Sequence, residues 1–126
     1  MALTKTARVI VASASNAATA TTRGRLDLTT AYGGLLTVKM TNGATGPTIQ
    51  CSCNVLVAHS ATQPSEGSAG ADWKTIATFL GGTGSNTITE YNYPIDASVM
   101  QLEVEFTGNT GQAVTVEAHF SEITSI

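Results

Sequence analysis

Charge is the scarcest thing in this chain: Asp, Glu, Lys and Arg make up 12% of its 126 residues, about half the usual share. Thr, Ala, Ser, Gly and Asn fill the space. A surface of short uncharged side chains packs against other protein at little entropic cost, and it does little to keep copies apart. Cysteine is nearly absent. Cys51 and Cys53 flank Ser52, a spacing that fits neither a redox CxxC nor a paired zinc knuckle. On a strand both point the same way, as small buried hydrophobes. With two histidines, His59 and His119, neither a zinc site shared with those cysteines nor a Ser-His-Asp order can be assembled. No apolar run approaches the about 18 residues of a membrane-spanning helix. The segment Lys5–Ala12 imitates a secretory signal, but its apolar centre is shorter than the roughly 7–15 residues such signals use, so it reads as a strand.

What is present is alternation. Met100, Leu102, Val104 and Phe106 alternate with polar residues, and Val114, Val116, Ala118 and Phe120 do so again after Gly108–Gly111. Period two marks strands with one buried face. The Gly/Asn-rich linker suggests an antiparallel hairpin, in the register that sets Val104 opposite Val114 and Glu103 opposite Thr115. Further strands are expected at Ala7–Ser13, Leu26–Thr30, Leu35–Thr41, Ile49–Val57, Asp72–Leu80 and Thr87–Tyr93, separated by turn signals at 42–48, 81–86 and Pro94. No segment has helical periodicity. The expectation is an all-β chain: a single-domain antiparallel β-sandwich, jelly-roll or Ig-like, of about eight strands. Residues 1–22 would be an N-terminal strand and extended arm, and residues 23–126 the sandwich body. The loop His59–Ala71 is long enough to be a contact element. Residues 12–22 bury too little to order themselves, so a neighbour or the sheet edge must hold them.

Catalytic chemistry finds little support. Glu103 and Glu105 would stand about 7 Å apart on one strand face, near the spacing of glycosidase carboxylates. Their alternation nevertheless places them on a solvated outer face. The 81–86 loop lacks the lysine of a phosphate loop. Trp73 shares its expected face with Phe79 and reads as core, whereas Tyr91 and Tyr93 line one side of a strand. These aromatics would form a sugar-binding platform only if exposed. The chain is therefore expected to be no enzyme and to need no cofactor, metal, nucleic acid or membrane.

Net charge is −3, unevenly placed. Lys5, Arg8, Arg23, Arg25 and Lys39 face only Asp27 within residues 1–50, while Lys74 stands against eight carboxylates in residues 51–126. Such asymmetry can steer association, unless a sandwich mixes the two halves. Lys5, Arg8, Arg23 and Arg25 are the candidate partner contacts.

The run RGRLDLTTAYGGLLTVKMTNGATGPT, with GADWKT and LEVEFTGNTGQAVTVEAHFSEITS, resembles small virion structural proteins of tailed bacteriophages, of the head decoration (cement) type. The resemblance lies in Thr/Gly-rich strands with few charges and maps no individual site residue. It implies a protein made in the host cytoplasm and bound to the major capsid protein at the virion's capsid surface, as a homo-oligomer with a trimer favoured. The alternatives are a tail or head–tail connector protein, and a carbohydrate- or host-surface-binding module.

Overall fold

The computed structural model describes residues 2–66 and 72–126. Its eight strands are β1 (Thr4–Asn16), β2 (Thr22–Asp27), β3 (Gly34–Asn42), β4 (Ser52–Ala58), β5 (Lys74–Leu80), β6 (Ile88–Ile95), β7 (Gln101–Thr107) and β8 (Val114–Ser125). They form two antiparallel four-stranded sheets, β1-β8-β3-β6 and β2-β7-β4-β5. Strand pairing is nested: β4 with β5, β3 with β6, β2 with β7 and β1 with β8. The β3–β8 and β4–β7 ladders complete the sheets. This order, a ribbon folded over on itself, is that of a jelly roll and settles the choice between the two expected sandwich types.

The four central strands bury the face their alternation marks. Leu36, Val38 and Met40 of β3 and Val114, Val116, Ala118 and Phe120 of β8 form one inner face. Cys53, Val55 and Val57 of β4 and Leu102, Val104 and Phe106 of β7 form the other. Cys51 joins the same core, and both cysteines are buried free thiols. Burial raises both thiols, Cys51 to about 11, because a thiolate would have to shed its hydration.

The open sides of the sandwich are closed differently. Phe79 of β5 stacks on Tyr91 of β6 at 4.6 Å between ring centres and meets Tyr93 edge-on at 6.0 Å. On the opposite side β1 presses against β2 at Gly24, where a Cβ would collide with the Ile10 carbonyl.

The expected closing hairpin does not form. Strand β7 lies in one sheet and β8 in the other, so Val104 pairs with Val55 and Val114 with Asn42. Period two shows that a strand has one buried face. It does not show whether its chain neighbour lies beside that face or across from it, and here the two inner faces oppose each other across the core. The N-terminal strand is longer than expected. Residues 12–16 belong to β1, so this part of the predicted arm is held by the chain's own sheet through its ladder with β8.

Candidate binding face

The two outer faces of the sandwich differ, and the difference begins with a β-bulge. Ala77 pairs with Val55, but the next partner of Leu56 is Thr75. One residue is skipped, so the alternation of β5 inverts toward its start. Trp73 therefore leaves the face of Phe79 and turns to the outside of its sheet, where it is buried yet absent from the inter-sheet core. Loop 59–66 folds over it. The Trp73 indole Nε1 donates to the Ser65 carbonyl at 3.0 Å, Arg25 Nη1 to the Pro64 carbonyl at 2.6 Å and Gln101 Nε2 to the Ser60 carbonyl at 3.1 Å.

This lid corrects the expectation for Glu103, which is 0% exposed rather than solvated. Arg25 and Leu56 flank it in register. Glu105 remains nearer the surface, clasped by Arg23 at 2.9 Å and by the Asn54 amide at 2.9 Å. The two carboxylates thus sit in different environments, and both are engaged by the chain itself. The predicted contact loop His59–Ala71 spends its described part, 59–66, on its own sheet; residues 67–71 lie outside the described residues.

The outer face of the β1-β8-β3-β6 sheet has no such cover in the described structure. Across its middle run Glu117, Lys39 and Glu90 on neighbouring strands. The Lys39 ammonium lies 3.8 Å from each carboxylate, and His119 Nε2 is 3.3 Å from Glu117. In the next row the Thr37 hydroxyl donates to Asn92 at 2.7 Å. Around these internally paired polar groups stand exposed aliphatic side chains: Val9 and Ile88, both 58% exposed, and Leu35 at 43%.

At the Leu35 end the face dips into a cleft of about 390 Å³, lined by Lys5, Tyr32, Leu35, Ile95, Ser121 and Ile123, with Gly34 in its wall. Two glycines shape it. Gly33 takes a left-handed φ of 78°, and at Gly34 a Cβ would meet the Phe120 ring and the Ser121 carbonyl. The pair lets the chain enter β3 tightly against β8 while Tyr32, bound through its backbone N–H to the Ile123 carbonyl at 2.8 Å, stands at the rim.

The four candidate contact cations lie on β1 and β2, which meet at one side of the sandwich. Arg8 pairs with Glu122 at 3.2 Å, Arg23 with Glu105, and Arg25 approaches Glu66 at 3.9 Å. With the Lys39 pairs, every one of these bridges joins a cation of residues 1–50 to a carboxylate of residues 51–126, so folding mixes the charge asymmetry of the sequence. Among the described residues Lys5 makes no ion pair, and it lines the cleft. Trp73 is buried and Tyr91 and Tyr93 pack against Phe79, so the aromatic platform considered for sugars is not assembled from them. Among the described residues no group of three or more His, Cys, Asp or Glu could hold a metal ion. The cleft had one visible sequence signal, Tyr32-Gly33-Gly34, which reads as punctuation until the strand ends are placed.

No protein-family model and no curated protein sequence matches the chain. Among solved structures it is similar to the protein of Bacillus endospore appendages, described as a novel family of disulfide-linked pili, at 10% identity over 100% of this chain and 93% of that one, with a TM-score of 0.53. It is also similar to a xylan-binding domain from CBM 22, at 11% identity over 97% and 88%, with a TM-score of 0.52. A third likeness, to the SPBc2 prophage-derived protein YomS, covers 96% of each chain at 16% identity with a TM-score of 0.47. At these identities the likeness is one of fold. The chain shares a β-sandwich fold with a xylan-binding domain and an endospore appendage protein.

Proposed function

We propose that this jelly roll is a non-catalytic structural protein of a phage virion that decorates an assembled capsid. It would lay the outer face of the β1-β8-β3-β6 sheet on the major capsid protein. The observation that carries this reading is the contrast between the faces: one sheet is roofed by the chain's own loop 59–66, while the other presents Val9, Leu35 and Ile88 around internally paired polar rows. Aliphatic contacts among short side chains gain from burial and lose little entropy on docking. Contacts of modest strength per copy suffice where many copies bind a repeating lattice, and a homo-oligomer, with a trimer favoured, would add avidity. The protein would be made in the host cytoplasm and join the capsid surface after the shell has formed.

The test is to add purified protein to shells lacking it, sediment them, and count bound copies while measuring the shell's heat resistance. Saturable binding at hundreds of copies, abolished by Ile88→Arg together with Thr37→Arg and unaffected by Thr78→Arg on β5, is the expected result. Saturation at one vertex would reassign the protein to the head–tail connector, and incorporation only into tails would make it a tail protein.

One observation favours a second reading, a carbohydrate- or host-surface-binding module. Tyr32, 45% exposed at the cleft rim, offers a ring on which a sugar could stack. Retention by insoluble polysaccharide, lost in Tyr32→Ala and absent for shells, would select it.

A further inference from the structure

We infer that the cleft at the end of the open sheet is a binding site for a carboxylate carried on an apolar body. This goes beyond the docking of the face as a whole and does not depend on a shell being the partner. The volume of about 390 Å³ lies within the roughly 300–1,000 Å³ typical of small-ligand sites. Leu35, Ile95 and Ile123 supply an apolar lining and Tyr32 an aromatic wall. Such a lining gains by covering an apolar group.

The polar groups at the cleft are few and of one electrical sense. Lys5 is its single charged side chain, no Asp or Glu lines it, and Ser121 offers a hydroxyl. The other cations of β1 and β2 are taken: Arg8 by Glu122, Arg23 by Glu105 and Arg25 by Glu66 and the Pro64 carbonyl. Lys5, with no ion pair among the described residues, is thus the group left to receive an anion. A carboxylate fits it as a charge-assisted acceptor and can take a second hydrogen bond from Ser121. An ammonium ligand would meet like charge, and a neutral ligand would leave Lys5 uncompensated. Lys5 is also well placed to tolerate this role, because it is exposed and stands on the edge strand β1.

The probes are octanoate and its neutral isostere octanamide, with a tetrapeptide ending in a leucine carboxylate and its C-terminal amide as a second pair. Each is titrated into the full chain while backbone amide NMR shifts are followed. Each carboxylate should bind saturably, at least about tenfold more tightly than its amide, with shifts centred on residues 32–35 and 121–123. A tighter peptide assigns a chain end as the natural ligand; tighter octanoate assigns a free acid. Lys5→Gln should remove the tenfold preference without moving the melting temperature. Leu35→Asp should abolish binding of both carboxylates, its fold checked by the same spectra. Equal binding of acid and amide, shifts elsewhere, or a preference that survives Lys5→Gln would overturn the assignment. Shell binding is scored separately, so failure here leaves the docking face standing, and failure there leaves the cleft.

Discussion

Asn16 Nδ2 donates to Asn109 Oδ1 at 2.6 Å, in a pair that is almost completely buried although the residues belong to opposite ends of the chain. Asn16 ends β1, and Asn109 sits in the loop from β7 to β8. Both connections cross between the sheets, and the pair fastens them together. Asn109 Nδ2 also donates to the carbonyls of Asn16 and Gln112, Asn16 Nδ2 to the Ala20 carbonyl, and the Thr22 hydroxyl to Asn16 Oδ1. The network replaces the backbone pairing that a crossing loop cannot make.

Truncating that clasp should therefore cost more than a surface loop substitution. Asn109→Ala leaves the buried Asn16 carbonyl and the partly buried Gln112 carbonyl without their side-chain donor, a loss of about 2 kcal/mol. The expected outcome is a lower urea midpoint with an unchanged slope. A change below about 0.5 kcal/mol would mean that water substitutes for the amide.

How much of this was legible beforehand depended on the range of the signal. Alternation is local, so Leu36, Val38 and Met40, or Val114 to Phe120, declare an inner face from sequence alone. Sheet membership is not local, and Gly108–Gly111 reads equally as a hairpin turn or as a crossing between sheets. Trp73 shows the same limit on a smaller scale. One skipped residue in β5 inverts the face, and nothing in WKTIATF marks where the bulge falls. Glu103 is buried where alternation predicts solvent for a related reason: strand parity says which face a side chain takes, but not what loop will settle on that face. The cleft needs four strand ends and Tyr32 brought together, which is tertiary information throughout.

The lid on the outer face should open when its anchor is removed. Trp73→Ala deletes the buried ring and its bond to the Ser65 carbonyl, and should cost about 3 kcal/mol. Because the ring lies outside the inter-sheet core, the first effect should be local. Limited proteolysis near residues 60–66 should quicken at least about tenfold before global unfolding rises. Trp73→Phe, which keeps the ring's packing and loses the hydrogen bond, should fall in between.

Gly24 is a separate point of contact. Gly24→Ala places a methyl against the Ile10 carbonyl where β1 and β2 close the sandwich. Relief requires the strands to part, so a loss of about 1–3 kcal/mol is expected. A thermal melt compares it with Gly43→Ala, which meets nothing within 4 Å and should be nearly neutral.

The cysteines predict an alkaline limit to stability. Both thiols are raised by burial, Cys51 to about 11. Their folded state therefore holds protons that the unfolded chain releases first. The stabilisation is complete below the unfolded thiol value of about 8.5 and is lost as pH rises through the folded value. Between about pH 9 and 11 each thiol should remove about 1.4 kcal/mol per pH unit. Urea midpoints at pH 9.5 and 10.5 should fall progressively below the plateau value at pH 8, and the decline should flatten in a Cys51→Ala, Cys53→Ala double variant even though its cavity lowers stability at every pH. In the native protein at pH 8, a thiol reagent should react only at the rate of transient opening.

The last expectation concerns salt, and it follows from where the charges went. Arg8, Arg23, Arg25 and Lys39 each have a carboxylate within the same molecule, and the docking face carries Lys39 between two of them. A partner approaching this face meets internally paired rows with one carboxylate in excess, and exposed aliphatics, not a basic patch. Screening shortens the reach of surface charges to about 8 Å at physiological ionic strength, but a single excess carboxylate on a face of paired groups offers little long-range attraction to screen. Attachment to shells should weaken only about two- to threefold between 50 and 500 mM NaCl, the residual loss coming from rim contacts. Arg23→Gln, which breaks a partly exposed pair worth at most about 1 kcal/mol, should leave attachment unchanged. Lys39→Glu, which sets three carboxylates side by side on the face, should reduce it and make the remainder strongly salt-dependent. A steep loss with salt for the natural sequence would show instead that the cations of β1 and β2 leave their internal partners to bind the shell.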